Sequence, residues 1–163
     1  MTVVLTDVAQ RVVAIEDLAS LAGERIGVSR WHRVTQAQVD RFADATGDHQ
    51  WIHVDPERAR TGPFGTTVAH GYLTLSLAPM LLWGVLEVTG AREMVNYGIG
   101  KVRFPTPVPT GARVRMAVDL TAVQQTAGWV QATFGLTFEV EGVHKPACVA
   151  EILFRYYSSN SLT

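Results

Sequence analysis

The sequence predicts an α+β fold, with one buried helix packed on a curved antiparallel sheet. Three observations predict it. Helix signals are confined to the first half of the 163 residues. From Tyr97 onward the apolar residues alternate with polar ones, the period of a half-buried strand. Between the two halves, the run from Ala69 to about Val88 is apolar nearly all round, which suits a helix with no solvent face. Helical segments followed by a block of strands argue for α+β rather than alternating βαβ units.

Taken in order, residues 1–30 read as a weak strand or coil followed by a short helix over Ile15–Leu21, with Gly23 as its stop. Thr35, with Gln38 three residues on, is a capping-box start for a helix running to about Ala45 and ending at Gly47. Asp55-Pro56 starts another helix, an acidic cap followed by proline at the first helical position. Thr61–Thr67 is a loop by its glycine and proline content. The long helix follows, kinked at Pro79 and ended by Thr89-Gly90. Four strands are expected at Tyr97–Phe104, Arg113–Val123, Trp129–Val140 and Ala147–Tyr157. No repeat interrupts this order, and a single domain over 1–163 is expected.

Composition narrows the function. Net charge is −1 and the basic residues are scattered, so no stripe suggests nucleic acid. The one cysteine, Cys148, excludes an internal disulfide and reads as a buried thiol in a strand. The start, MTVVLTDVAQRVV, has an acid within its apolar part and no basic lead, so no signal peptide is expected. The charge-free run Gly71–Leu86 is shorter than the ~20 residues of a membrane span and contains Pro79 and Gly84. A cytoplasmic protein, independent of membranes, follows.

The chemistry concentrates in Phe42–Gly71, which carries three of the five histidines. Asp48 and His53 lie between the end of one helix and the start of the next. A loop there can bring side chains five apart to one water, whereas a regular helix would set them about 140° apart. Near neutral pH an ordinary aspartate is ionised and an ordinary histidine mostly neutral, so the pair can take a proton and return one. The plain alternative is that Asp48 caps local amides and His53 is a satisfied polar residue. His49 and His53 also have the i, i+4 spacing of metal ligands, with Asp48, Asp55 and His70 nearby. That reading needs a continuous helix, which the cap at Asp55 opposes, so no metal is expected. Gly71, at the head of the long helix, leaves its amide open to a ligand oxygen, or simply allows tight packing. His70 beside it reads as a cap or a packing residue rather than a catalytic one.

The same stretch resembles the MaoC-like dehydratases, the (R)-specific enoyl-CoA hydratases of the hotdog fold. Their signature is an aromatic, then small-Gly-Asp, Asn-Pro, an aliphatic, His, any residue, Asp-Pro. Here it reads Phe42, Thr46-Gly47-Asp48, His49, Gln50-Trp51, Ile52-His53, Val54, Asp55-Pro56. Val68-Ala69-His70-Gly71 resembles the aliphatic-X-His-Gly at the family's central helix, and Lys101-Val102-Arg103-Phe104-Pro105 with Val108-Pro109 and Gly111 the strand and turn beyond. The form GDHQWIHVDP is most similar to the single-domain branch that includes nodulation protein N. Gln50-Trp51 departs from Asn-Pro, which bears on substrate range more than on catalysis.

The resemblance implies a long central helix wrapped by a curved antiparallel sheet, and a reaction: Asp48 and His53 add water to a trans-2-enoyl-CoA, giving the (R)-3-hydroxyacyl-CoA, while the Gly71 amide binds the thioester oxygen. It implies no bound cofactor, coenzyme A being part of the substrate, and a homodimer whose sheets continue across the interface. Trp51, Phe64, His70 and Tyr72 are expected at the substrate; Leu73 and Leu81 are candidates for an acyl tunnel, although such residues are more often plain core, and Lys101 and Arg103 read as solvated edge-strand charge more readily than as contacts to the coenzyme A phosphates. Two other functions fit the same residues: an acyl-CoA thioesterase on this fold, and a non-catalytic acyl-CoA-binding subunit.

Overall fold

The computed structural model describes residues 9–158; the opening of the expected N-terminal strand or coil, residues 1–8, lies outside them. Strand β1 (Arg11–Ala14) leads into a 3-10 helix at Ile15–Leu21, then β2 (Glu24–Val28) and the two-residue β3 (His32–Arg33). Helix α1 (Gln36–Thr46) is followed by two single turns, α2 (Trp51–Val54) and α3 (Pro56–Ala59). Helices α4 (Gly71–Ser76) and α5 (Ala78–Trp83) come next, then β4 (Leu86–Thr89), β5 (Ala91–Arg103), β6 (Arg113–Gln125), β7 (Val130–Val140) and β8 (Cys148–Ser158).

The main sheet runs β2-β6-β7-β8-β5, with β3 also on β6, and every pairing in it is antiparallel. Strand β7 alternates buried and half-buried residues from end to end, so one face of the sheet is core and the other meets solvent. Phe134 and Phe138 from β7, Met116 and Leu120 from β6, and Phe154 from β8 pack on Leu73, Leu77, Leu81 and Leu82 of the helical layer. Register shifts at Leu120/Ala122, Asn96/Gly98 and Ile99/Val102 bend the long strands around the helices. A helical layer enclosed by one curved sheet is the hotdog arrangement. Cys148 is buried at the start of β8, and burial pushes its thiol up to about 12.

Capping follows the sequence closely. Thr35 Oγ1 accepts from Gln38 N at 3.2 Å, and Gly47 closes α1 in the left-handed region at φ 80°, where a side chain would be strained. Asp55 Oδ1 accepts from Arg58 N at 3.0 Å to start α3. The reciprocal half of the capping box is not made: Gln38 Oε1 instead takes the ring N–H of His32 at 3.1 Å.

The central helix differs from expectation in length. It is two short segments meeting at Leu77, not one element to Val88. Pro79 has no N–H to give to Leu75, so the ladder tightens to Leu77 N→Thr74 O (3.3 Å) and resumes with Leu81 N→Leu77 O (3.0 Å). After Gly84 the chain extends, and β4 pairs in parallel with β1. An apolar run without a polar face cannot by itself separate helix from buried strand. Among the described residues, no helix is long and apolar enough to cross a membrane.

Thr35→Ala is expected to lower stability by about 1 kcal/mol in urea unfolding with an unchanged m-value, since it removes the one side-chain cap of α1.

Candidate active site

The turn after α1 and the head of α4 meet at one place. Asp48 follows the αL glycine and is exposed, its carboxylate 3.4 Å from Gln50 N. His53 sits in the single turn α2, only 7% exposed. Its Nδ1 donates to the carbonyl of Val68 at 2.6 Å. A carbonyl only accepts, so Nδ1 carries the proton and Nε2 is the nitrogen left to act as a base.

His70 is the residue just before α4 and is 3% exposed. Its Nε2–H donates to the main-chain carbonyl of Asp48 at 2.9 Å. Its ring stacks on that of His53, centroids 3.8 Å apart and planes at 25°, and packs on Phe42 at 5.0 Å. His70 thus ties the Asp48 turn to the helix head, while its buried Nδ1 has no hydrogen-bond partner. An oxygen of Asp48 and one ring nitrogen each from His53 and His70 all lie within 4.8 Å of one another. Two hydrogen bonds of ~2.8 Å reach farther than that, so a single water can bridge Asp48 and His53.

This trio is also the group among the described residues whose donor atoms are close enough to hold an ion. It is not the set that the i, i+4 spacing suggested: His49 turns away to Asp44 Oδ1 at 2.9 Å. That hydrogen bond raises the His49 pKa above the ordinary value, although the ring is exposed.

A cavity of ≈ 360 Å³ opens beside His53, lined by Phe64, Val68, Gly71, Phe104 and Pro107 among others. Gly71 is the first residue of α4, so its amide has no partner within the helix. A Cβ at Gly71 would meet the Phe104 ring at 3.0 Å, so the bare glycine is what lets Phe104 close over the helix head. A larger groove of ≈ 530 Å³, lined by Ser29, Trp31, His32 and Met80, contains none of these residues.

The structure therefore brings Asp48 and His70 to His53, and places His53, Gly71 and Phe64 around the cavity, whose lining includes neither Asp48 nor His70. Tyr72 is 72% exposed and meets the cavity only through Phe104, whose ring it approaches edge-on at 6.1 Å. Trp51 packs against Gly62 and under the Arg58 guanidinium, 4.4 Å from its ring centroid, and does not line the cavity. Leu73 and Leu81 are core residues. Lys101 and Arg103 are exposed on β5. Sequence reasoning missed Phe104 as a cavity wall and the Val68 carbonyl as the partner of His53. The first had a signal, an aromatic at a strand end before Pro105; a main-chain acceptor has none.

The chain belongs to the MaoC-like domain family, whose model matches residues 17–140. It is 57% identical over 144 residues to 3-hydroxyacyl-thioester dehydratase Z of Mycobacterium tuberculosis, covering 88% of this chain and 95% of that one. It is 43% identical over 141 residues to nodulation protein N of Rhizobium leguminosarum bv. viciae, covering 85% and 88%. Among solved structures, the (R)-hydratase from A. caviae involved in PHA biosynthesis superposes with a TM-score of 0.66 at 26% identity, covering 80% of this chain and 95% of that one.

By NMR titration His49 is expected to lose its proton above the ordinary 6.5, and Asp44→Asn to bring it down. Because folding raises this pKa, the pair's contribution to stability is full just below the ordinary 6.5, while Asp44 stays ionised, and fades as pH rises through the folded value.

Proposed function

We propose that the protein adds water to trans-2-enoyl-CoA thioesters to give (R)-3-hydroxyacyl-CoA, and catalyses the reverse dehydration. The observation that carries this is the approach of the Asp48 carboxylate and the His53 ring to within one water of each other beside the cavity that also holds Gly71. His53 Nε2 and Asp48 hold the water; one of them takes a proton as the oxygen bonds to C3, and a proton passes to C2 on the same face. As the C2–C3 double bond is consumed, negative charge gathers on the thioester oxygen, where the Gly71 N–H donates to it. His70 keeps the Asp48 turn and the helix head in register, and Phe64 and Phe104 wall the acyl group. The steps draw on protein groups and water, and coenzyme A is carried by the substrate. The 57% identity to a protein named as a 3-hydroxyacyl-thioester dehydratase supports this reaction class over thioester hydrolysis.

A homodimer and a cytoplasmic setting belong to the same reading. Strand β5 is 13 residues long and lies at the end of the sheet order, with Val95, Tyr97 and Ile99 exposed by 44%, 53% and 59%. A long apolar edge of this kind calls for a partner strand, and a second copy of β5 would extend the sheet across the interface.

Asp48→Asn and His53→Ala are each expected to slow crotonyl-CoA hydration at least ~100-fold with the fold intact by circular dichroism. Near-normal turnover in either, or thiol release from saturated acyl-CoA by the natural protein, counts against the assignment. Light scattering at micromolar concentration is expected to give about twice the 17.8 kDa chain mass.

A further inference from the structure

Gln36 is the first residue of α1, and its side chain leaves the helix to enter the site from behind. Its Nε2 donates to the main-chain carbonyl of His53 at 2.7 Å and to Asp40 Oδ1 at 2.8 Å. Its Oε1 accepts from Thr67 Oγ1 at 2.6 Å. The amide can point only one way: a flip would set its oxygen against two acceptors. Thr67 is 2% exposed, and its hydroxyl lies 2.5 Å from that of Thr110. Since Thr67 gives its proton to Gln36, the one Thr110 hydroxyl proton is shared between the Thr67 hydroxyl and the Thr67 main-chain carbonyl, 3.1 Å away. Thr110 N also donates to Thr67 O at 2.9 Å. Thr110 thus holds Thr67 at its hydroxyl and its carbonyl, Thr67 donates to Gln36, and Gln36 donates to His53.

The chain of bonds grips His53 at both ends. Its main-chain carbonyl is held by Gln36. Its ring is held by Val68, the residue next to Thr67, and Val68 N in turn donates to Ile52 O at 3.0 Å, one residue before His53. The Val68 carbonyl selects the Nδ1–H tautomer, and Gln36, bonded to His53 O and to Thr67, ties together the two segments that make that contact.

We propose that Gln36, backed by Thr67 and Thr110, is a positioning residue that holds His53 in its Nδ1–H form with Nε2 toward the water. The proposal rests on the reading that His53 acts on that water. A displacement of about 1 Å in a reacting group can cost ~10²-fold in rate, so loosening this grip acts on turnover rather than on substrate binding.

Gln36→Leu removes all three bonds at nearly constant bulk. Its kcat for crotonyl-CoA hydration is expected to fall ~10-fold or more, with KM within about twofold. The ¹⁵N ring signals of His53, read by NMR without substrate, are expected to show one Nδ1–H tautomer in the natural protein and an averaged pair in Gln36→Leu. A Gln36→Leu protein with natural kcat, or one whose kcat falls while the His53 signals stay unchanged, overturns the proposal, whatever happens to its melting temperature. If Gln36→Leu does not fold, Thr110→Val at the far end of the chain of bonds is read by the same two measurements, and unchanged His53 signals there overturn it too. Should the natural protein hydrate no enoyl-CoA, the proposed reaction falls, while the ring signals still decide whether Gln36 sets the tautomer.

Discussion

The 2.6 Å hydrogen bond from His53 Nδ1 to the carbonyl of Val68 is the contact on which the site depends. It joins a one-turn helix to an extended segment that is itself pinned, Val68 pairing with Pro109 and Ala69 N donating to Val108 O at 2.8 Å. Because a carbonyl accepts and never donates, this one contact decides which ring nitrogen carries a proton. The buried imidazole lies close to Asp48, with the ring of His70 stacked on it.

The curved sheet serves this contact at a distance. Its inner face buries Phe134, Phe138 and Phe154 against the helical layer, which fixes where α4 begins. The head of α4 fixes His70 and Gly71, and His70 holds the Asp48 turn through its main chain. The turn, the single-turn helix and the helix head thus come from separate parts of the chain and share one small volume.

The parts of this arrangement that obey local rules are readable from sequence. Thr35, Gly47 and Asp55-Pro56 mark helix ends through backbone requirements that operate within a few residues, and all three hold. The alternation in β6, β7 and β8 reports a sheet with one buried face. The Asp48–His53 pairing is visible as spacing and as a family resemblance. What the sequence conceals is set by long-range contact. Whether Leu86–Thr89 is helix or strand depends on β1 arriving alongside it. Gln38 satisfies a capping box on paper, but a histidine six residues earlier competes for it. Trp51 sits between the catalytic candidates in sequence, yet its side chain leaves the cavity for Gly62 and Arg58.

Cys148 closes the core at the first position of β8, where desolvation keeps its sulfur in the unreactive thiol form. With no second cysteine anywhere in the chain, the natural protein already offers a silent background for site-directed labelling. A single engineered cysteine at an exposed position would accept a maleimide dye or a nitroxide selectively, so motion near the cavity mouth can be measured without first stripping a native residue from the interior.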